Sequence, residues 1–422
     1  MDVLFVHNNF PGQYRHIARA LQHMGGFRLF GIGAKTAPGL PGVTTARYTL
    51  DGMEPARDVH PFARRFEGEM RRAAGVIRAA VQLRDAAGMD PAVVLVHPGW
   101  GENTPLRSLF PRARMISFCE FYYGPGADVG FDPEFSNPTP MDYTRLNAWN
   151  ASTLLALTDS DAAIAPTEWQ RSRYPALFRP MIHTVHDGVD TRVVRPGPAE
   201  LWEHGDLRIE PGEEIITFVA RNLEPYRGYH IFMRALPRIL KARPSARVVI
   251  VGGDGVSYGA RPPQGQTWRQ IFLDEVKDSL DLARVSFTGA LPYDAYLRLL
   301  RHSRAHVYLT YPFVLSWSML EAMASGCLVV GSATEPVQEV IAHGVNGLLT
   351  PFFDQDALVE AVVSAAAEPE RYAPLREAAR KTVVERYDLT TICLPRQLAI
   401  MRVGSEQSTA TLLAAPSSAG HA

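Results

Sequence analysis

Short apolar runs rich in β-branched residues alternate with longer amphipathic stretches along this chain, and the alternation runs through twice. Strands apolar on both faces, separated by helix-length segments, mark parallel sheets with crossover helices. The first series opens with a strand at Val3–His7 and a turn at Asn8-Asn9-Phe10-Pro11-Gly12. A helix follows, with Tyr14, Ile17, Ala18 and Leu21 on one face. Later strand candidates are Ala92–His97, Arg114–Glu120, Ala162–Pro166 and Ile182–Val185. From residue 189 to 212 the chain becomes loop-like and rich in Pro and Gly, as in Arg195-Pro196-Gly197-Pro198.

A second series then begins. Ile215–Arg221, Arg247–Gly252, Val285–Gly289, His306–Thr310 and Leu328–Gly331 read as strands. Helices are predicted between them at Tyr229–Ala242, Trp268–Leu282, Tyr293–Arg301, Ser318–Ser325 and Val337–His343. The pattern predicts an α/β fold of two Rossmann-like, doubly wound domains facing each other across a cleft. Residues 1–195 form the first domain and 196–388 the second. A closing helix is predicted at 389–403 and a disordered tail at 404–422.

Length and charge narrow the function classes. A chain of 422 residues is too long for one compact core. Its 43 Lys and Arg against 44 Asp and Glu leave a net charge of −1, without the basic field of a nucleic-acid binder. No run approaches the roughly 18 apolar residues of a membrane-spanning helix. The first residues turn polar too soon for a signal peptide, so a cytoplasmic enzyme is expected. Cys119, Cys327 and Cys393 are odd in number and far apart, signalling neither a disulfide framework nor a zinc site.

Open parallel sheets bind ligands at the carboxyl ends of their strands, and three such loops carry chemistry-bearing residues. In the first, Gly12 stands where backbone must pass near a ligand, ahead of a helix N-terminus. The alternative is a plain turn. In the second, Arg221 and Arg227 leave one strand-to-helix loop, and two guanidinium forks suit a diphosphate. The alternative is a solvated pair, one of them matched with Glu224. In the third, Ser318-x-x-Glu321 has capping-box spacing, so Glu321 either bonds its own helix start or accepts the hydroxyls of a ribose.

Taken together, these residues resemble the retaining nucleotide-sugar glycosyltransferases of family 4, which have the GT-B architecture. The resemblance runs from residue 3 to about residue 402. It is carried by Arg221 with Arg227-Gly228, by Gly289-Ala290-Leu291, and by Glu321-Ala322-Met323-Ala324-Ser325-Gly326. His186-Asp187-Gly188-Val189-Asp190 resembles the family's interdomain segment, and Gly344-Val345-Asn346-Gly347-Leu348-Leu349 its "G-x-N-G-L-L" hairpin. The resemblance implies that Arg221 and Arg227 bind the donor diphosphate and that Glu321 holds the ribose. It implies that Leu291 meets the nucleobase and that Gly12 lets its loop approach the donor. It also places His97 near the donor sugar, the alternative being a structural histidine.

Three positions depart from the family, and the first is Arg227, which stands where the family usually has Lys and keeps the charge with a different geometry. The first glutamate of the paired-glutamate motif is Phe313, and the usual glycine three residues later is Ser316. Backbone N–H groups of Leu315, Ser316 and Trp317 are expected to serve the phosphate and sugar. The missing sugar carboxylate leaves three options: another acid (Glu335, Glu120 or Glu102), a donor other than the common hexoses, or an inactive copy.

Further expectations concern the acceptor, the membrane and cofactors. Trp100, Glu102, Glu120 and Tyr122 are candidate acceptor contacts, with ordinary packing as the alternative for the aromatic residues. The Arg-rich stretch Arg64–Asp85, with Phe66, Met70, Ala73, Ile77 and Val81 on one face, reads as a surface helix, a weak contact with an anionic membrane being the second reading. Val251-Gly252-Gly253-Asp254-Gly255 lacks the full dinucleotide fingerprint. No Asp-x-Asp motif stands beside the phosphate arginines, so neither metal nor cofactor is expected. The implied activity moves a sugar from a nucleoside diphosphate to a hydroxyl of a small molecule, glycan or lipid-linked acceptor. A nucleotide-sugar epimerase and a non-catalytic sugar-nucleotide binder are the competing readings. Base, sugar, acceptor and oligomeric state are not legible.

Overall fold

Val3, Leu4, Phe5 and Val6 are all completely buried, because β1 (Asp2–Val6) is an interior strand of a sheet covered on both faces. The computed structural model describes residues 1–49, 58–127 and 129–403, and the predicted tail at 404–422 lies outside the described residues. The sheet also holds β2 (Arg28–Ala34), β3 (Thr44–Tyr48), β4 (Pro91–Val96), β5 (Arg114–Phe118), β6 (Ala162–Ala165) and β7 (Ile182–Thr184). All pairings are parallel, in the order β3-β2-β1-β4-β5-β6-β7. Alternation along β1 sorts its side chains. Val3 and Phe5 join Ile17, Ala18 and Leu21 of the helix Arg15–Met24, together with Leu394 and Leu398. Leu4 and Val6 join Val76, Ala80 and Leu83 of the helix Arg64–Ala87. The buried face of that helix is not the expected one, since Ile77 is an exposed residue.

Two strands of this sheet were not expected. In β2, Gly31 and Gly33 break the apolar run, yet both are required by packing. A Cβ on Gly31 would lie 2.6 Å from the Phe10 ring, and one on Gly33 would lie 2.8 Å from the Ala37 methyl. The residues that lower strand propensity are the ones that let the β1 turn settle on the sheet. The strand β3, Thr-Thr-Ala-Arg-Tyr, is half polar and gives a weak signal.

The second unit begins with an antiparallel hairpin, β8 (Trp202–His204) and β9 (Leu207–Ile209), inside the stretch expected to be loop. Trp202 is buried, and its indole N–H donates to the Ala295 carbonyl at 2.8 Å. Its parallel sheet contains β10 (Ile215–Asn222), β11 (Arg247–Gly253), β12 (Val285–Gly289), β13 (Ser303–Tyr308), β14 (Val329–Ser332) and β15 (Leu348–Thr350). The order is β12-β11-β10-β13-β14-β15. The expected "G-x-N-G-L-L" hairpin is instead a turn leading into β15, which pairs parallel with β14. Asn346 makes the turn: its side chain accepts from Ala342 N–H at 2.8 Å and donates to the Val340 carbonyl at 3.0 Å.

Contacts divide the chain at Gly188/Val189 rather than at residue 195, and Leu389–Val403 returns to the first unit. A Cβ on Gly188 would meet the Leu389 Cα at 2.7 Å, and its φ is +93°, so the crossing needs glycine. Phe131–Phe135 belongs to the second unit although Gly130 and Ser136 belong to the first. All three cysteines are buried and none forms a disulfide, and no described helix is long and apolar enough to cross a membrane.

Candidate functional site

Strand order reverses between β1 and β4 in the first sheet and between β10 and β13 in the second. Loops leaving such neighbours diverge to opposite faces and open a crevice at the strands' carboxyl ends. The four loops at these two places hold most of the expected site residues, and each unit has its own cluster.

In the first unit, His97 caps the turn after β4 by accepting the Gly99 N–H on Nδ1 at 3.2 Å. Its proton therefore sits on Nε2, which donates to Glu120 Oε2 at 3.1 Å. Gln13 Nε2 donates to the other carboxylate oxygen at 2.9 Å. Burial works to raise the Glu120 carboxyl, but the hydrogen bonds from His97 and Gln13 outweigh it and hold it below the usual carboxylate range. Burial and His97 push His7 down to about 3, so its ring is neutral. His7 Nδ1 accepts from Asn9 N–H at 2.9 Å. The ring also dictates Gly12, whose Cβ would stand 2.6 Å from His7 Cε1 at a φ of +46°.

Trp100 stacks on His97 with ring centroids 4.4 Å apart and is partly exposed. Tyr122 is not brought to it. That ring packs at 5.2 Å on Tyr174, in a separate cluster with Cys119 and Leu157. Tyr123 takes the Arg65 guanidinium over its face at 4.5 Å, while Arg65 Nη2 reaches the Gly99 carbonyl at 3.3 Å. Trp100 and Tyr122, both candidate acceptor contacts, thus lie in separate clusters. Glu102 is completely buried, which corrects the expectation that it touches an acceptor. It contacts the Tyr48 hydroxyl, which also lies 3.1 Å from Asn8 Oδ1, so Glu102 supports the β1 loop from behind. Burial pushes its carboxyl up to about 7, with Tyr48 opposing.

In the second unit the two arginines differ. Arg221, at the end of β10, is exposed and makes no hydrogen bond or ion pair among the described residues. Arg227 is 7% exposed and closes a 3₁₀ turn (Pro225–Arg227) before Gly228. Its Nη1 reaches the Tyr308 hydroxyl (3.3 Å), Thr310 Oγ1 (3.0 Å) and the Val314 carbonyl (2.9 Å). Tyr258 and Phe313 lie under the guanidinium at 5.2 and 5.8 Å. Phe313 packs on Tyr226 and Tyr258 rings, so at the position of the missing glutamate the side chain holds Arg227. Glu224 pairs with neither arginine. It is fully buried and accepts the N–H groups of Ser257, Tyr258 and Gly259 at 3.2–3.3 Å, fixing the loop that carries Tyr258.

The third loop precedes the helix Trp317–Ala324. Its cap is Ser316, whose side chain accepts from Ser318 N–H, and Ser318 lies inside the helix. The capping-box alternative for Glu321 is thereby excluded. Glu321 is partly buried and accepts from the Tyr293 hydroxyl at 2.7 Å; burial raises its carboxyl against that bond. Ser316 N–H donates to the Tyr308 hydroxyl at 2.8 Å, so it does not serve a phosphate in this arrangement, contrary to expectation. Leu315 is buried, Trp317 is 45% exposed, and Leu291 is half-buried against the core. Glu335 is exposed at the start of the helix Glu335–Gln338. The glycines after β11 serve packing, since a Cβ on Gly252 would lie 2.7 Å from the Ala220 carbonyl.

Sequence reasoning missed His7, Gln13, Glu224, Tyr258, Tyr293 and Tyr308. Each acts on a partner far away in the chain, so no local spacing marks it. Only Tyr293 had a usable signal, as the first helical residue after the Gly289-Ala290-Leu291 match.

Two doubly wound parallel-sheet units in one chain, each with its loop cluster at a strand-order reversal, define the GT-B class of fold. Residues 25–194 match the model described as glycosyl transferase family 4 group, and residues 203–382 match glycosyl transferases group 1. The chain belongs to the group 1 glycosyltransferases. It is 25% identical over 222 residues to a D-inositol 3-phosphate glycosyltransferase of Segniliparus rotundus, covering 51% of this chain and 46% of that protein. The chain thus spans about half the length of the inositol phosphate glycosyltransferases it matches. A GDP-mannose-dependent alpha-(1-6)-phosphatidylinositol monomannoside mannosyltransferase of Mycobacterium tuberculosis is 26% identical, over 69% of this chain and 72% of its own. Among solved structures, sucrose-phosphate synthase from Thermosynechococcus elongatus has a TM-score of 0.68 at 16% identity, covering 95% of this chain and 98% of its own. Anabaena HepE, solved with UDP and glucose, has a TM-score of 0.64 at 15% identity, covering 96% and 100%.

Proposed function

We propose that this protein transfers a sugar from a nucleoside diphosphate donor to an acceptor hydroxyl, with retention at the anomeric carbon and without a metal ion. The observation that carries the reading is Arg227. A buried guanidinium is costly unless engaged, and this one is engaged on Nη1 only, at the strand-order reversal of the second sheet. Nε and Nη2 have no acceptor among the described residues and remain to donate in parallel to a diphosphate. Arg221, exposed on the same loop, adds a second cation.

In the transfer, the bond from the anomeric carbon to the diphosphate oxygen breaks and a bond to the acceptor oxygen forms. The acceptor proton passes to the departing diphosphate. Charge building on that group is stabilised by Arg227 and Arg221. Glu321, held by Tyr293, receives the ribose hydroxyls. The names of the relatives support the substrate class, since one is GDP-mannose-dependent and a structural neighbour was solved with UDP and glucose. Metal independence rests on the sequence. Both Asp-x-Asp triplets have other duties: in Asp159-Ser160-Asp161 of the first unit Asp161 binds Arg107 and the Met115 N–H, and in Asp354-Gln355-Asp356 of the second Asp354 accepts the Ala357 N–H as a helix cap while Asp356 pairs with Arg238.

The test is a screen of UDP- and GDP-sugars with acceptor panels, following sugar transfer and anomeric configuration by NMR, with and without EDTA. Phe313 favours one other reading, a binder without turnover, because no carboxylate stands at that position. Tight UDP or GDP binding with neither transfer nor donor hydrolysis would select it.

A further inference from the structure

The five residues Phe131–Phe135 lie within the sequence of the first unit but are held by the second, and nearly every side chain among them has a built partner there. Phe131 packs on Tyr311, Phe352 and Phe353, with ring centroids 5.1–5.3 Å apart. Phe135 packs on His230, Trp268 and Phe272 at 5.2–6.2 Å. Both Glu134 oxygens bind Arg234, at 2.7 and 2.8 Å. Asp132, 1% exposed, accepts the Tyr311 hydroxyl on Oδ2 at 2.7 Å, and the same oxygen lies 3.0 Å from His230 Nε2.

These contacts converge on the elements that flank Arg227. His230 and Arg234 stand one turn apart on the helix Tyr229–Ala242, which begins two residues after Arg227. Tyr311 leads back to the turn itself: its N–H donates to the Tyr226 carbonyl at 3.0 Å, and the two rings lie 4.8 Å apart. Tyr226 is the residue before Arg227 and also packs on Phe313, under the guanidinium.

Asp132, Glu134 and His230 place donor atoms within 4.8 Å of one another, a spacing that suits a metal ion. The remaining bonds argue otherwise. Both Glu134 oxygens are taken by Arg234, which Glu275 also grips at 2.7 and 3.0 Å, and Asp132 Oδ1 accepts the Glu134 N–H at 3.0 Å. A dication would have to displace the Arg234 cation.

We propose that Asp132 is a positioning residue for the donor-phosphate grip: through Tyr311 and Tyr226 it fixes the turn that aims Arg227. The inference rests on the reading of Arg227 as a diphosphate ligand. With the Asp132–Tyr311 bond present, the Tyr226 carbonyl and ring are held in one place, and the next residue inherits that constraint. A grip that is ordered before the nucleotide arrives loses less freedom on binding.

The experiment is calorimetric titration of UDP and GDP into wild type, Asp132→Asn, Tyr311→Phe, Arg227→Ala and the Asp132→Asn/Arg227→Ala double variant, with melting temperatures alongside. Tyr311→Phe removes one hydroxyl and keeps the ring stack, so it serves if Asp132→Asn fails to fold. The expected result is a five- to tenfold weaker affinity in Asp132→Asn and Tyr311→Phe, and no further loss when Asp132→Asn is added to Arg227→Ala. Wild-type affinity in both single variants with a lowered melting temperature would overturn the proposal, leaving the segment a stabilising contact only. Wild-type affinity in Arg227→Ala would remove the reading beneath it, and the proposal with it. A melting-temperature rise on adding MnCl2 or ZnCl2 to wild type but not to Asp132→Asn would overturn it in favour of a metal site.

Discussion

Tyr293 donates its hydroxyl proton to Glu321 across 28 residues of sequence, joining the first turn of one helix to the middle of another at 2.7 Å. This bond holds the carboxylate away from its own helix N-terminus, with the buried Tyr296 hydroxyl as a second neighbour. Glu321→Ala is expected to weaken UDP or GDP binding at least tenfold while shifting the melting temperature little, since no helix cap is lost. Calorimetry and thermal melts on the same samples check both halves. A lowered melting temperature with intact affinity would restore a purely structural role.

The two arginines should separate by stability. Arg227→Ala leaves Tyr308, Thr310 and the Val314 carbonyl without their cationic donor, so it is expected to lower both turnover and melting temperature. Arg221→Ala removes an exposed side chain without a partner among the described residues and should leave the melting temperature unchanged. Each is expected to lower kcat/KM at least tenfold, about 1.4 kcal/mol of transition-state stabilisation. Steady-state kinetics with the best donor of the screen measures it.

Glu102 gives a pH signature. Its folded-state value of about 7 lies above the ordinary carboxyl range. The folded protein therefore keeps a proton that the unfolded chain has already released. Stability from this group is highest at low pH, falls as pH rises through the carboxyl range, and stays low above about 7. Glu102→Gln should remove that loss, worth up to about 3 kcal/mol. The melting-temperature gap between variant and wild type is expected to widen from pH 5 to pH 8, and an unchanged gap would show that Glu102 is ionised throughout.

Gly12 answers to His7 as well as to any ligand. Gly12→Ala is expected to lower the melting temperature, because its Cβ would meet the imidazole at 2.6 Å and its φ of +46° disfavours a side chain. Adding His7→Ala removes the clash and should recover part of the loss. Full additivity of the two changes in thermal melts would show that the ring is not the obstacle.

The order of strands and helices was largely legible because a buried parallel strand is apolar on both faces and leaves a continuous run, as in β1 and β11. The β2 strand was not, since Gly31 is chosen by the Phe10 ring and Gly33 by the Ala37 methyl, and neither by the strand. Arg227 was legible as a phosphate candidate from residue type and place in a strand-to-helix loop. The support around it was not, because Tyr258 comes from one segment, and Tyr308 and Phe313 from another, both far from Arg227 in the sequence.

The amino-acid order by itself determined two doubly wound units, their ligand-side loops and the charges those loops carry, since periodicity and turn chemistry act over a few residues. Tertiary structure alone decided which of those charges are held and by what. Arg227 is caged while Arg221 is free, Glu102 is buried while Glu120 is paired with His97, and Phe131–Phe135 belongs to the unit it does not adjoin in sequence. Burial and pairing depend on groups brought together from distant parts of the chain, and local sequence carries no record of them.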